Sequence, residues 1–439
     1  MLTLSADVFA KRRQHVLAQL PEDAIAIIPS ANDILRNGFD NTFSFRQNSD
    51  FWYLTGYNEA DAVLLLAPHR PEGEVVLFNL PKDPSAEIWT GRRAGQEGAC
   101  RDFGMDQAFP IDSFTEKLPQ FFKDRRQVYY PVGRKPEWDR HILDAMHRAR
   151  AGVRRGAIAP DTFCNSDTIL HPMRVIKSEE EIALMQHAND ISSEAHRLAM
   201  QHCRPGLYEY ALEGIIRGHC MTNGSRDMAY TPIIGAGENA CVLHYVTNNA
   251  PIKDNDLVLI DAGGEYEYYA SDITRTFPAN GRFHGEQKAV YEVVLATQLA
   301  LVDLVKPGIN WDSIQKSCRK ELTQGLIDIG ILRGSCDTLL EQEAYRPFYM
   351  HLFGHYLGLD THDAGRYNNE HGEWPTLSAG MVFTIEPGLY IQANTPNVDP
   401  RWWNIGVRIE DNIVVTENGH HNMTTAPKSI ADIEALMRD

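Results

Sequence analysis

Apolar and polar positions follow two rhythms along this chain. In the first third, short apolar runs alternate with polar stretches of helical length. DAIAIIPS (23–30), DAVLLLAP (61–68), EVVLFNL (74–80) and QVYYPV (127–132) are rich in branched or aromatic residues and bounded by Pro, Gly or charge, which predicts strands. Residues 5–19 and 137–150 have the pattern of helices. This alternation predicts a small α/β domain.

The stretch 150–172 carries Gly, Pro, Ser, Asn and Asp and breaks the rhythm, so a boundary is expected near 170, giving domains 1–170 and 171–439. Beyond it, Ser178 and Glu181 have the spacing of a capping box. Ile182, Met185, Ala188, Ile191, Ala195 and Leu198 then recur at helical spacing until Pro205 and Gly206. Helices over 208–223, 285–305 and 312–329 alternate with strands that carry polar motifs. Neither GxGxxG after a strand nor GxxxxGK is present. The expected class of the second domain is α+β.

Size and charge narrow the functions. A chain of 439 residues is too long for one ordinary core. A net charge of −17 argues against nucleic acid as a partner. The N-terminal stretch has no apolar signal region, and runs such as AVLLLA (62–67) are too short to cross a bilayer, so no membrane partner is expected. Seven cysteines without a CxxC pair read as reduced thiols in a cytoplasmic protein.

Chemistry concentrates in five segments: LVLIDAGGEY (257–266), SDITRTFP (271–278), HLFGHYLGLDTHDAG (351–365), FTIEPGLY (383–390) and GVRIEDN (406–412). Asp261 ends an apolar row with Leu257 and Leu259, and Gly263 and Gly264 let the chain turn. Asp272 opens the next strand, with Thr274 and Thr276 on its face, so a hairpin brings the two acids together. Pro387 holds Glu386 extended, and Gly388 permits a sharp turn. Arg408 and Glu410 face one way while Val407 and Ile409 face the core. Each acid alone reads as a cap, turn or surface pair; together they form an oxygen-rich set that, with one imidazole, can hold two divalent cations. His351 and His355 have the spacing of a helical metal pair, but Gly354 and Gly358 oppose a helix there. Spacing alone leaves the ligand open among His351, His355 and His362.

These five segments, in this order, resemble the pita-bread metallohydrolases: methionine aminopeptidase, creatinase, prolidase and aminopeptidase P. FRQNSDFWYLTGYNEADAVLLLAP (45–68), IWTGRRAGQEGA (88–99), HPMRVIKSEEEI (171–182) and YTPIIGAGENACVLHY (230–245) resemble aminopeptidase P in particular. The resemblance implies a C-terminal pita-bread catalytic domain behind a smaller α/β domain. It implies two divalent metal ions, best Mn2+, sharing a hydroxide and held by Asp261, Asp272, His355, Glu386 and Glu410. Glu386 also serves as proton carrier, and Glu410 bridges the metals. His244 and His362 match positions that contact substrate. His351, Tyr390 and Arg408 match positions that support the site or relay protons. The implied activity is release of the first residue from peptides beginning Xaa-Pro, by a homodimer or homotetramer. Prolidase, which takes only dipeptides, is the nearest rival. Metal-free creatinase or a non-catalytic binding protein would be expected to lose ligands, and none is lost. Leu352 departs from the glycine usual after the first histidine of that loop, and 366–379 does not match closely, so no role is carried over from it.

Overall fold

Apolar runs bounded by turn residues become the central strands of two compact units, Met1–Met173 and Arg174–Asp439. The computed structural model describes residues 2–438, the side chain of Arg155 excepted.

The first unit is built on a six-stranded mixed sheet. Its strands are β1 (Ala24–Pro29), β2 (Val63–Leu66), β3 (Val75–Asn79), β4 (Gln107–Pro110), β5 (Gln127–Tyr129) and β6 (Thr162–Cys164). They lie in the order β4-β3-β2-β1-β5-β6, with β1-β2 and β2-β3 antiparallel and the outer pairs parallel. Branched residues on β1 to β3 are buried on both faces, as strands covered by helices require. Helices α1 (Ala6–Gln19), α2 (Phe114–Phe121) and α3 (Pro136–Arg150) belong to this unit. Phe114 and Leu118 of α2 and Trp138 and Ile142 of α3 join Ile25, Val63 and Phe78 in one core. A nine-residue helix, Asp167–Val175, runs through the expected boundary.

The second unit begins with α4 (Glu179–His202), whose Ser178 and Glu181 form the reciprocal cap. The helix buries more than its apolar stripe: Ser192, Ser193 and His196 are also inside. The reason lies in the backbone they meet. Ser192 Oγ accepts from Gly264 N at 3.0 Å and pairs with Ser271 Oγ at 2.8 Å, and His196 Nε2 lies 2.9 Å from the Ala262 carbonyl. Small polar residues on this face thus satisfy peptide groups that would otherwise be buried unpaired.

Helices α5 (Glu209–Thr222), α6 (Gly285–Leu304) and α7 (Trp311–Asp328) follow among the strands. The strands are β7 (Ile233–Ala236), β8 (Leu257–Asp261), β9 (Thr274–Pro278), β10 (Val382–Ile385), β11 (Gly388–Ile391), β12 (Ile405–Arg408), β13 (Asp411–Thr416) and β14 (Gly419–Asn422). They form antiparallel sheets β7-β8-β9 and β10-β13-β14 and the pair β11-β12. The unit is α+β, and its sheets deliver polar residues at strand ends. Among the described residues no helix is long and apolar enough to cross a membrane.

Candidate metal centre and active site

Asp261 is the last residue of β8, in register with Ile233 on one side and Thr274 on the other. The chain leaves β8, folds a short hairpin between Gly264–Tyr266 and Tyr269–Ala270, and returns through Asp272, just ahead of β9. The glycines after Asp261 do not act as turn residues, for neither has a positive φ. A Cβ on Gly263 would lie 1.8 Å from the Ser271 carbonyl oxygen, and one on Gly264 would lie 2.2 Å from Ser225 Oγ. Gly263 is required because two backbone segments touch there, a contact that draws the two acids together, and Gly264 because the Ser225 side chain packs against it.

Asn412 fastens Asp272 from the other side. Its Oδ1 accepts from Asp272 N at 2.8 Å, and its Nδ2 donates to the Asp272 carbonyl. One amide side chain thus pairs with both backbone groups of Asp272, as a neighbouring strand would.

Glu386 sits between β10 and β11. Gly388 is again a close contact and not a turn: a Cβ there would meet the Tyr390 hydroxyl at 2.6 Å. The histidine segment is irregular, with no helix to bring His351 and His355 onto one face. It lies along β10 instead. Glu386 N donates to the Phe353 carbonyl at 2.7 Å, Thr384 N to that of His355 at 2.9 Å, and Leu357 N to that of Val382 at 3.1 Å. Gly354 makes this possible, since a Cβ would lie 1.8 Å from the Thr384 carbonyl oxygen. This pairing places His355 Nε2 3.6 Å from Glu386 Oε1 and 3.3 Å from Asp272 Oδ2.

Glu410 follows β12 and is 2% exposed, which removes the simple surface pair as its explanation. It accepts from Thr274 Oγ1 at 2.7 Å. Ligand atoms of Asp272, His355 and Glu410 lie within 4.8 Å of one another. Arg408 donates to Asp261 Oδ2 at 2.6 Å, to the Tyr390 hydroxyl at 2.9 Å and to Thr274 Oγ1 at 3.1 Å. Tyr390 in turn meets His351 Nε2 at 3.0 Å, and His351 Nδ1 lies 2.7 Å from the Leu352 carbonyl. That carbonyl requires Nδ1 to carry the proton, leaving Nε2 to accept from tyrosine.

The ring of His362 lies 4.3 Å from that of His355. His244 is on an exposed loop after β7, near enough for its charge to oppose protonation of both His351 and His362. Tyr230 was not singled out by spacing. Its hydroxyl lies 2.5 Å from Asp261 Oδ1 and 2.5 Å from Asp272 Oδ1. Only the pairing of β7 with β8, a contact between distant segments, reveals it.

Burial dominates the electrostatics. It pushes the Glu386 carboxyl up to about 7, with Asp272 and Asp261 adding and His355 and Arg408 opposing. Burial and the charges of Asp272 and Glu386 hold Glu410 well above the usual carboxylate range. Burial raises Asp261 against the pull of Arg408. For Asp272 burial acts upward, but the His355 contact outweighs it and the acid ends lowered. Burial would lower His355, yet Asp272 and Glu386 carry it up to about 9. Fully ionised, the four crowded acids would carry more negative charge than Arg408 and one imidazole balance, and without a further cation Glu386 and Glu410 answer by holding protons. Oxygen donors with one nitrogen suit hard or borderline divalent cations. A second acid–histidine group, Asp50, Asp167 and His171, has two acids rather than four, and Arg134 Nη2 lies 2.6 Å from Asp167 Oδ2.

The comparisons with known proteins give the family. Residues 183–417 match the model of metallopeptidase family M24, and residues 9–129 match that of the aminopeptidase P N-terminal domain. The chain is 42% identical to the Xaa-Pro aminopeptidase of Escherichia coli K12, covering 100% of this chain and 99% of that one. It is 41% identical to the Xaa-Pro aminopeptidase of Haemophilus influenzae, covering 100% and 98%. The structure of Pseudomonas aeruginosa aminopeptidase PepP superposes with a TM-score of 0.98 at 46% identity, over 100% of this chain and 99% of that one. Zinc-substituted E. coli aminopeptidase P in complex with product superposes with a TM-score of 0.95 at 42% identity, over 99% and 98%. With an acid-lined centre at the ends of its strands and relatives matched along its full length, the chain belongs to metallopeptidase family M24, in its aminopeptidase P branch.

Proposed function

We propose that this protein is a metal-dependent aminopeptidase that releases the N-terminal residue from peptides with proline in second position. The observation that carries the reading is the convergence of Asp261, Asp272, His355, Glu386 and Glu410 on one buried acidic centre. Asp261, Asp272, His355, Glu386 and Glu410 would hold two divalent ions, the first two acids for one and His355 and Glu386 for the other, with Glu410 available to both; the donor set favours Mn2+. When bound, the ions lower the pKa of water and polarise the scissile carbonyl.

The chain's own groups do the rest. Glu386, beside the attacking water, takes its proton and passes it toward the departing nitrogen. His362 and His244 hold the carbonyl oxygen as it gains charge. Arg408 and Tyr390 keep Asp261 and His351 oriented. The leaving nitrogen belongs to proline, which has no N–H, so a site that grips the ring replaces the usual backbone contact.

The active form is a cytoplasmic homodimer or homotetramer. Ile34, Leu35, Phe39, Phe43, Ile88 and Trp89 of the first unit are exposed, an apolar load that a second copy would cover. The test is release of free arginine from a peptide beginning Arg-Pro-Pro, with Mn2+ and with chelator. Activity only with metal, and on Ala-Pro-Ala as well as Ala-Pro, supports the reading. Activity confined to Ala-Pro would make the protein a dipeptidase, and equal activity in chelator would remove the metal mechanism.

A further inference from the structure

Two cations of the segment 171–182 have no place in the mechanism above. Arg174 Nη2 lies 2.5 Å from Asp363 Oδ1 and 2.6 Å from Asp360 Oδ2. Lys177 Nζ lies 2.9 Å from Asp363 Oδ2. The side chains of Arg174, Lys177 and Asp363 are 4%, 1% and 1% exposed. Each oxygen of Asp363 therefore meets a different buried cation, one residue beyond His362.

A buried ion pair adds little net stability over apolar side chains of the same shape. What it adds is direction. Both ends of this link are tied down. Lys177 N donates to the Gly380 carbonyl at 2.8 Å, and Ile176 bridges Met381, just ahead of β10 and Glu386. On the other side, Asp363 N donates to the Tyr356 carbonyl at 3.0 Å, and Ala270 N to that of Gly358 at 2.8 Å. The packing has no slack: a Cβ on Gly358 would lie 2.2 Å from Asp363 Oδ2 and 2.9 Å from Lys177 Cε. His362 is different. It is exposed, and among the described residues no hydrogen bond holds its ring. Its place is set by the backbone on which Asp363 sits.

We propose that Arg174, Lys177 and Asp363 form a positioning anchor that fixes His362 over the reacting carbonyl. The anchor acts through His362 and touches neither substrate nor metal. This inference rests on the role given to His362 above.

A double-mutant cycle on the metal-loaded protein tests it. Lys177→Met keeps the aliphatic stem and removes the charge. In the native background it is expected to lower kcat on the Arg-Pro-Pro peptide about tenfold, a coupling typical of directly linked residues, with KM and metal content nearly unchanged. In the His362→Ala background the same substitution is expected to change kcat less than about twofold. An equal loss in both backgrounds is what a merely structural ion pair gives, and it overturns the proposal, as does no loss in either. If His362→Ala alone keeps native kcat, the reading of His362 fails instead. If Lys177→Met does not fold, Arg174→Lys, which keeps the charge but loses the fork, takes its place in the same cycle.

Discussion

Arg408 donates from Nη2 to Asp261 Oδ2 across 2.6 Å, with both side chains buried. The same guanidinium reaches Tyr390 and Thr274, so it fills three directions at once. Replacing it with alanine leaves Asp261 facing the other acids without a counter-charge. Arg408→Ala is expected to cost about 3–5 kcal/mol of stability, the usual result of breaking a buried pair, and to lower kcat about a hundredfold. Arg408→Lys should recover little, because an ammonium cannot reproduce the planar fork. Denaturant unfolding and steady-state kinetics check both; near-native values for Arg408→Lys would show that charge alone matters.

Tyr230 offers one proton to two acids, Asp261 and Asp272. It supplies to the metal centre what outer partners of ligands usually supply, an orienting hydrogen bond. Tyr230→Phe is expected to weaken metal binding about tenfold to a hundredfold while leaving the fold intact. Competition with a chelator measures the affinity. An unchanged dissociation constant would reduce the phenol to a packing group.

Much of this was legible in the sequence. Apolar runs marked the strands, and Asp261 and Glu410 stood out as acids joined to such runs. What was not legible has a common physical cause. A glycine needed for a positive φ and one needed for close packing look alike in a sequence, so Gly263, Gly264 and Gly388 read as turns. Spacing could not choose among His351, His355 and His362, because the choice depends on pairing with β10, thirty residues away. Tyr230 and Asn412 depend on contacts between distant segments and carry no local signal.

Gly354 permits that pairing, and its loss should be severe. In Gly354→Ala the new methyl would lie 1.8 Å from the Thr384 carbonyl oxygen, which is backbone and cannot swing aside. The histidine segment must lift from β10, breaking the bonds that set His355 beside Glu386. The expected result is loss of activity and about 3 kcal/mol or more of stability, as for overpacking at its upper range. Thermal unfolding and metal content check it, and a variant with native metal content and activity would count against the pairing as the device that places His355.

Removing metal should expose the acids' mutual repulsion as a pH dependence. The neutral form of Glu386 is favoured in the folded chain, its pKa rising from 4.5 to about 7, so folded protein binds the extra proton and stability falls as pH rises across that window. His355 rises from 6.5 to about 9, so its contribution is complete below 6.5 and is lost as pH climbs through 9. His351, lowered to about 4 by burial, works the other way, but only between 4 and 6.5, where it offsets Glu386. Above pH 6.5 the losses stand alone. Chelator-treated protein is therefore expected to lose about 3 kcal/mol between pH 6.5 and 9. Saturating Mn2+ should flatten that slope, because the ions replace the protons that otherwise hold the acids together. Urea unfolding at several pH values, with chelator and with Mn2+, measures both slopes. Parallel slopes would mean that the ions bind elsewhere, and a metal-free protein that gains stability above pH 6.5 would mean that His355 is not held charged by Asp272 and Glu386.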